Sequence, residues 1–193
     1  MQWVTRKHVH VNRTATAWLV RRFLDPRAEI RFVEPDEVAG VQRRDGALGF
    51  DAPGARYPHS DAQGRCSFEQ LVDERLAGDA ALQALARIVH GADFPAEIGT
   101  TPESAGLWAI SQGFTAVAGD DHEIVERAAF LYDSLYAHLR RRAGDSARPE
   151  ATKTTATVTP KTSATPVIPK TPRTPRTPRT AKTPEAREIV GGS

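Results

Sequence analysis

His10-Val11-Asn12-Arg13-Thr14-Ala15-Thr16-Ala17-Trp18-Leu19-Val20-Arg21-Arg22-Phe23-Leu24-Asp25-Pro26 is the stretch from which the fold is read. Ala15, Trp18, Leu19 and Phe23 recur at spacings of three or four. That period predicts a helix with this stripe turned to a core. Asn12 or Thr14 is placed to cap its start. Pro26 closes it, because Asp25 before a proline is pushed out of the helical region. Upstream, residues 3–11 alternate loosely, with Val9 and Val11 on one face and His8 and His10 on the other, the two-residue period of a strand. Downstream, residues 29–34 alternate again, with Ile30 and Phe32 on one side and Arg31 and Val33 on the other. The order is strand, helix, strand.

Beyond this unit, residues 35–66 are rich in Gly, Pro and Asp and read as irregular, with one short strand at 47–51. A long ordered loop of this kind often carries function. The remainder reads as helical. Ser67 and Gln70 have the spacing of a capping box, and Gly78 stops that helix. Asp79 caps the next, with Leu82, Leu85, Ala86 and Val89 inward and Gly91 at its end. Thr101-Pro102-Glu103 is a cap, a first-turn proline and a first-turn acid, and the helix it opens runs to about Gly113. Asp120 and Glu123 open the last helix, whose seam is Ile124, Ala128, Leu131, Leu135 and Leu139. Trp18 and Trp108 fall on apolar stripes and read as core. The expected fold class is α+β: a small N-terminal β-sheet with four or five packed helices in residues 1–143.

After that boundary the composition changes. Residues 144–193 are dominated by Thr, Pro, Lys, Arg and Ala and include the repeat TPRTPRTPRT. Proline at every third position blocks helices and few apolar groups offset the entropy of ordering, so a disordered tail is expected. The charge divides at the same place: 145–193 holds nine Lys/Arg against four Asp/Glu, and the preceding part 17 against 20. The basic excess is the tail's, and nonspecific, salt-sensitive contact with phosphates or nucleic acid through it is one functional reading. One cysteine excludes an intrachain disulfide. Neither a signal peptide nor a membrane span is legible, which makes the cytoplasm the default location and a membrane partner unexpected.

Several strings occur in an order that resembles the C-terminal domain of ChrB, the bacterial chromate resistance protein. They are residues 10–26 quoted above, Phe32-Val33-Glu34, Tyr57-Pro58-His59, Cys66-Ser67-Phe68-Glu69, Gly91-Ala92-Asp93, Ala105-Gly106-Leu107-Trp108-Ala109-Ile110-Ser111, Asp120-Asp121-His122 and Tyr132-Asp133-Ser134-Leu135-Tyr136. The resemblance covers about residues 2–142. It departs from the family pattern at Asn12, where Asp is usual, and at Thr16, where Cys is frequent. It implies a role connected with chromate resistance. The family's full regulator also has an N-terminal DNA-binding region, to which no part of this sequence corresponds, so regulation of transcription is not carried over.

Two constellations carry chemistry. His10, Glu34, His59 and Cys66 offer imidazole, carboxylate and thiolate donors, a set suited to zinc or another divalent transition metal, and the resemblance touches all four positions. Their wide spacing leaves an ordinary reading open, in which Glu34 is a solvated acid, His59 a loop hydrogen-bonder and Cys66 a small buried residue. His10 and Arg13, with Arg6 near in sequence, stand where the first helix begins. The free amides there and a guanidinium fork suit a tetrahedral oxyanion such as chromate. The ordinary reading of these arginines is solvent exposure or ion pairing. The expected function is therefore a metal- or oxyanion-binding sensing or accessory module. A metal- or thiol-dependent enzyme acting on chromate or a by-product is the alternative, with Cys66 as the thiol and His59 as its partner. His90 reads as structural, at a helix end, and Asp93, in a turn, as a structural cap with ligation as the alternative.

Overall fold

A computed structural model describes residues 1–146. The basic Thr/Pro segment, and the tethering role read into it, lie from residue 147 onward outside the described residues.

The α+β architecture is present, with all three strands parallel. Strand β1 (Gln2–Arg6) is central, flanked by β2 (Glu29–Val33) and β3 (Leu48–Gly49), in the order β2-β1-β3. Trp3 lies opposite both Ile30 and Leu48. Parallel neighbours need crossover helices. Helix α1 (Val11–Leu19) supplies the first and α2 (Val38–Asp45) the second. Both faces of β1 are thereby covered: Trp3 belongs to the main core with α1, and Val4 to a smaller cluster with Val38 and Val41 of α2.

Around this sheet stand α3 (Ser67–Arg75), α4 (Ala80–Asp93), α5 (Pro102–Gln112), the single turn α6 (Phe114–Val117) and the long α7 (Asp121–Ser146). The five expected helices are all there, and α2 and α6 add to them. Helix α2 escaped the apolar periodicity because it buries only Val38 and Val41 and carries Gly40 between them. Gly46, at φ 66, ends it in the left-handed conformation that glycine adopts without strain. Helix α7 continues through Gly144 to Ser146, past the expected boundary at 143.

Several local expectations are corrected. The first strand stops at Arg6, so His8 and His10 do not share a strand face. His8 turns to φ 62, and the amides of His8 and Val9 donate to the Asp121 carboxylate, at 2.9 Å each. The α1 cap position is His10, while Asn12 and Thr14 lie inside the helix. The capping box at α3 is Cys66 with Glu69, one residue before the expected Ser67 and Gln70. Those two side chains bond elsewhere: Ser67 donates to Asn12 Oδ1, and Gln70 to the carbonyls of Pro58 and Arg65. Helix α4 runs past Gly91 to Asp93, because Gly91 is where α5 crosses closely. A β-carbon there would meet Ser104 Oγ at 2.6 Å. Trp18 is core, but Trp108 is 44% exposed. As expected, Asp79 caps α4 and Thr101 caps α5. Asp25 is extended before Pro26 and closes a π-helical turn, Val20–Leu24, that extends α1.

Candidate metal and anion site

The strand order places a switch point between β1 and β3: from β1 the chain leaves toward β2 on one side, and it returns through β3 on the other. In open parallel sheets the crevice outside the carboxyl ends of the strands at such a point is where ligands bind. Here that crevice holds Arg6 at the end of β1, Asp51 just past β3, and the first turn of α1.

Every residue of α1 is buried, its polar ones included. The helix is therefore not amphipathic toward solvent. Its Asn12, Arg13, Thr14 and Thr16 face an internal polar network, and such groups persist in a core only when hydrogen-bonded. Asn12 Oδ1 accepts from Ser67 Oγ at 3.0 Å and from the Phe68 amide at 3.2 Å, which ties α1 to the start of α3. Thr14 Oγ1 lies 2.7 Å from the buried Tyr132 hydroxyl of α7.

Asp51 is the hub. It is 1% exposed and sits at φ 49, a left-handed conformation that Asp tolerates better than most residues. Oδ2 pairs with Arg13 Nη1 at 2.8 Å and with Arg6 Nη2 at 3.5 Å. Oδ1 accepts from Asn12 Nδ2 at 3.1 Å and lies 2.6 Å from His59 Nδ1. Burial works to raise its carboxyl, but the His59 hydrogen bond and the Arg13 and Arg6 charges outweigh it and hold the group below the usual carboxylate range. The same hydrogen bond raises His59.

Asp93, at the end of α4, completes a group of three. Its Oδ2 is 3.4 Å from His59 Nδ1. One ligand atom from each of Asp51, His59 and Asp93 lies within 4.8 Å of the others. Burial, and then the nearby Asp51 charge, push the Asp93 carboxyl up to about 6. Asp93 Oδ2 and Arg13 Nε are buried without a hydrogen-bond partner among the described residues. Both side chains line a cleft of about 300 Å³, together with Arg6, His10, Trp108 and Ser111. Burial and the Arg13 charge lower His10, which favours its neutral ring.

A second group lies at the start of α3, where Cys66, Glu69 and His90 bring one ligand atom each within 4.8 Å of one another. Glu69 Oε2 is 2.6 Å from His90 Nδ1, and Glu97 is 3.0 Å from His90 Nε2. Burial, then the Glu69 charge, push the fully buried Cys66 thiol well above its ordinary value.

The structure thus distributes the four expected ligands. His59 falls in one group and Cys66 in the other. His10 and Glu34 are in neither, and Glu34 pairs with Lys7 at the exposed surface, at 2.9 Å. Among the described residues no group brings the four together. His10 and Arg13 do line one cleft, although Arg13 is already paired with Asp51. Sequence reasoning missed Asp51 and Glu69 and set His90 and Asp93 aside as structural. The local signal, His90 and Asp93 three apart on one helix face, marks that face but not the two separate groups they join.

The family model for the C-terminal domain of ChrB matches residues 3–139. Protein ChrB of Cupriavidus metallidurans is 37% identical over 141 residues, which cover 72% of this chain and 40% of that relative. No solved structure matches. Among the described residues no helix is long and apolar enough to cross a membrane.

Proposed function

The chain belongs to the ChrB C-terminal domain family, and on that premise we propose that it binds a divalent transition metal and an oxyanion at the cleft beside α1, as a sensing or accessory module connected with chromate resistance. The observation that carries this reading is the Asp51–His59–Asp93 group, whose Asp93 lines a cleft together with Arg6, His10 and Arg13. Two carboxylates and an imidazole are donors for zinc or a similar ion. Asp93 Oδ2, which has no hydrogen bond among the described residues, gives such an ion an acceptor, and Arg13 Nε, likewise without one, gives an anion a donor. A cation held by the three ligands would offset the two buried carboxylates and leave the arginines available to a tetrahedral dianion, whose oxygens match guanidinium donors.

The thiol-dependent form of the alternative enzyme reading needs Cys66 as a free thiolate. Full burial and a raised pKa oppose that, and His59, its supposed partner, bonds to Asp51 instead.

Equilibrium dialysis against zinc, followed by calorimetry with chromate and sulfate, tests the proposal. Relative to the wild type, His59→Ala and Asp93→Asn are each expected to lose one equivalent of zinc, and Arg6→Gln to weaken the anion. Unchanged zinc in both ligand variants overturns the metal half. Absence of heat from either oxyanion at millimolar concentration overturns the anion half.

A further inference from the structure

We propose that Cys66, Glu69 and His90 form a second divalent-metal site, a thiolate–carboxylate–imidazole centre of the class that holds zinc, with Glu97 as the outer partner that orients the histidine. It goes beyond the cleft reading, since the two groups share no ligand.

The donors come from two packed helices. Cys66 is the cap of α3, Glu69 lies in its first turn, and His90 in the last turn of α4. Each is fixed before any ion arrives. The Cys66 amide donates to Glu69 Oε2 at 2.8 Å, and the reciprocal bond from the Glu69 amide holds the sulfur. The Phe94 ring packs against the His90 imidazole with centroids 4.6 Å apart. A metal-bound histidine commonly gives its other ring N–H to a carboxylate. Glu97 stands in that place, 3.0 Å from Nε2. In the tautomer that donates to Glu97, Nδ1 turns its lone pair toward a Glu69 oxygen 2.6 Å away. A cation between them satisfies both. Zinc bonds of roughly 2.0–2.3 Å set neighbouring donors about 3–4 Å apart. The 2.6 Å contact then opens by about 1 Å, a small side-chain rotation. With Cys66 at 0% exposure and the His90 and Glu69 side chains at 14% and 18%, the seat is nearly closed. On binding, the thiol proton passes to solvent and the thiolate and carboxylate together balance a dication.

Cobalt(II) is the probe, because a cobalt–thiolate bond gives a near-ultraviolet charge-transfer band, and Cys66 is the chain's one cysteine. The full chain is unfolded in urea and refolded anaerobically with cobalt(II). The band is expected in the wild type and in Asp93→Asn, and absent from Cys66→Ser. Glu97→Gln changes an exposed residue and leaves all three ligands in place. It is expected to weaken cobalt binding about tenfold while the band persists. No band from folded wild type in excess cobalt overturns the proposal, as does a band whose titration His90→Gln leaves unchanged. Loss of the band in folded Asp93→Asn makes Asp93 part of the Cys66 centre and overturns a second site separate from the first.

Discussion

Arg13 and Asp51 meet at 2.8 Å with only 7% and 2% of their side chains exposed, so an ion pair inside the domain ties helix α1 to the end of strand β3. Removing one member of such a pair costs far more than the pair contributes, since it strands the other charge in the core. Asp51→Asn keeps the shape and tolerates φ 49 but leaves Arg13 without its counter-charge. We expect a loss of about 3–5 kcal/mol in urea unfolding. A loss below about 1 kcal/mol would mean that the guanidinium reaches water.

Asp93 gives a pH dependence of definite sign. Its carboxyl rises from 3.8 to about 6 on folding. The folded state therefore binds this proton more tightly, and stability falls as pH rises from about 4 to about 6. At about 1.4 kcal/mol per pKa unit the loss is at most roughly 3 kcal/mol. Asp51, which is lowered, acts in the opposite sense and loses its contribution toward acid. His59, which is raised, contributes stability that is lost as pH climbs above its ordinary 6.5. In metal-free protein, urea midpoints of Asp93→Asn and wild type should diverge in favour of the variant between pH 4 and 6 and run parallel above 7. A pH-independent difference would contradict the raised carboxyl.

Gly91 sets how closely α4 and α5 approach. A β-carbon there would lie 2.6 Å from Ser104 Oγ and 2.9 Å from the Glu97 carbonyl oxygen. Gly91→Ala is expected to destabilise by about 1–3 kcal/mol, despite alanine's better helix propensity. Adding Ser104→Ala should recover only part, because the clash with the Glu97 backbone stays. Calorimetric melting of the two variants checks this.

Tyr132 fastens α7 to α1 through its hydroxyl, 2.7 Å from Thr14 Oγ1 and 3.0 Å from the Val11 carbonyl oxygen. Thr14 keeps other acceptors, the His10 and Val11 carbonyls, so Tyr132→Phe deletes bonds without orphaning the threonine. A cost of about 1 kcal/mol in urea unfolding is expected. A cost near 3 kcal/mol would show that the network is cooperative rather than pairwise.

The α+β class, five of the helices and several of their ends were legible in the chain alone. Those features depend on local periods and on caps such as Asp79, Thr101 and Pro26, which act within a few residues. The family was legible too, through an ordered set of short strings. Tertiary packing settled that the strands are parallel, that α1 is buried on every side, and that Asn12, Arg13 and Thr14 are interior rather than capping or solvated. A 3.6-residue period cannot tell a polar face turned to water from one turned to an internal network. It also decided the grouping of donors. His59 joined Asp51 and Asp93, and Cys66 joined Glu69 and His90, while Glu34 went to the surface with Lys7. Ligand convergence depends on where β3 and the ends of α3 and α4 meet in space, and contacts between residues tens of positions apart leave no period in the chain.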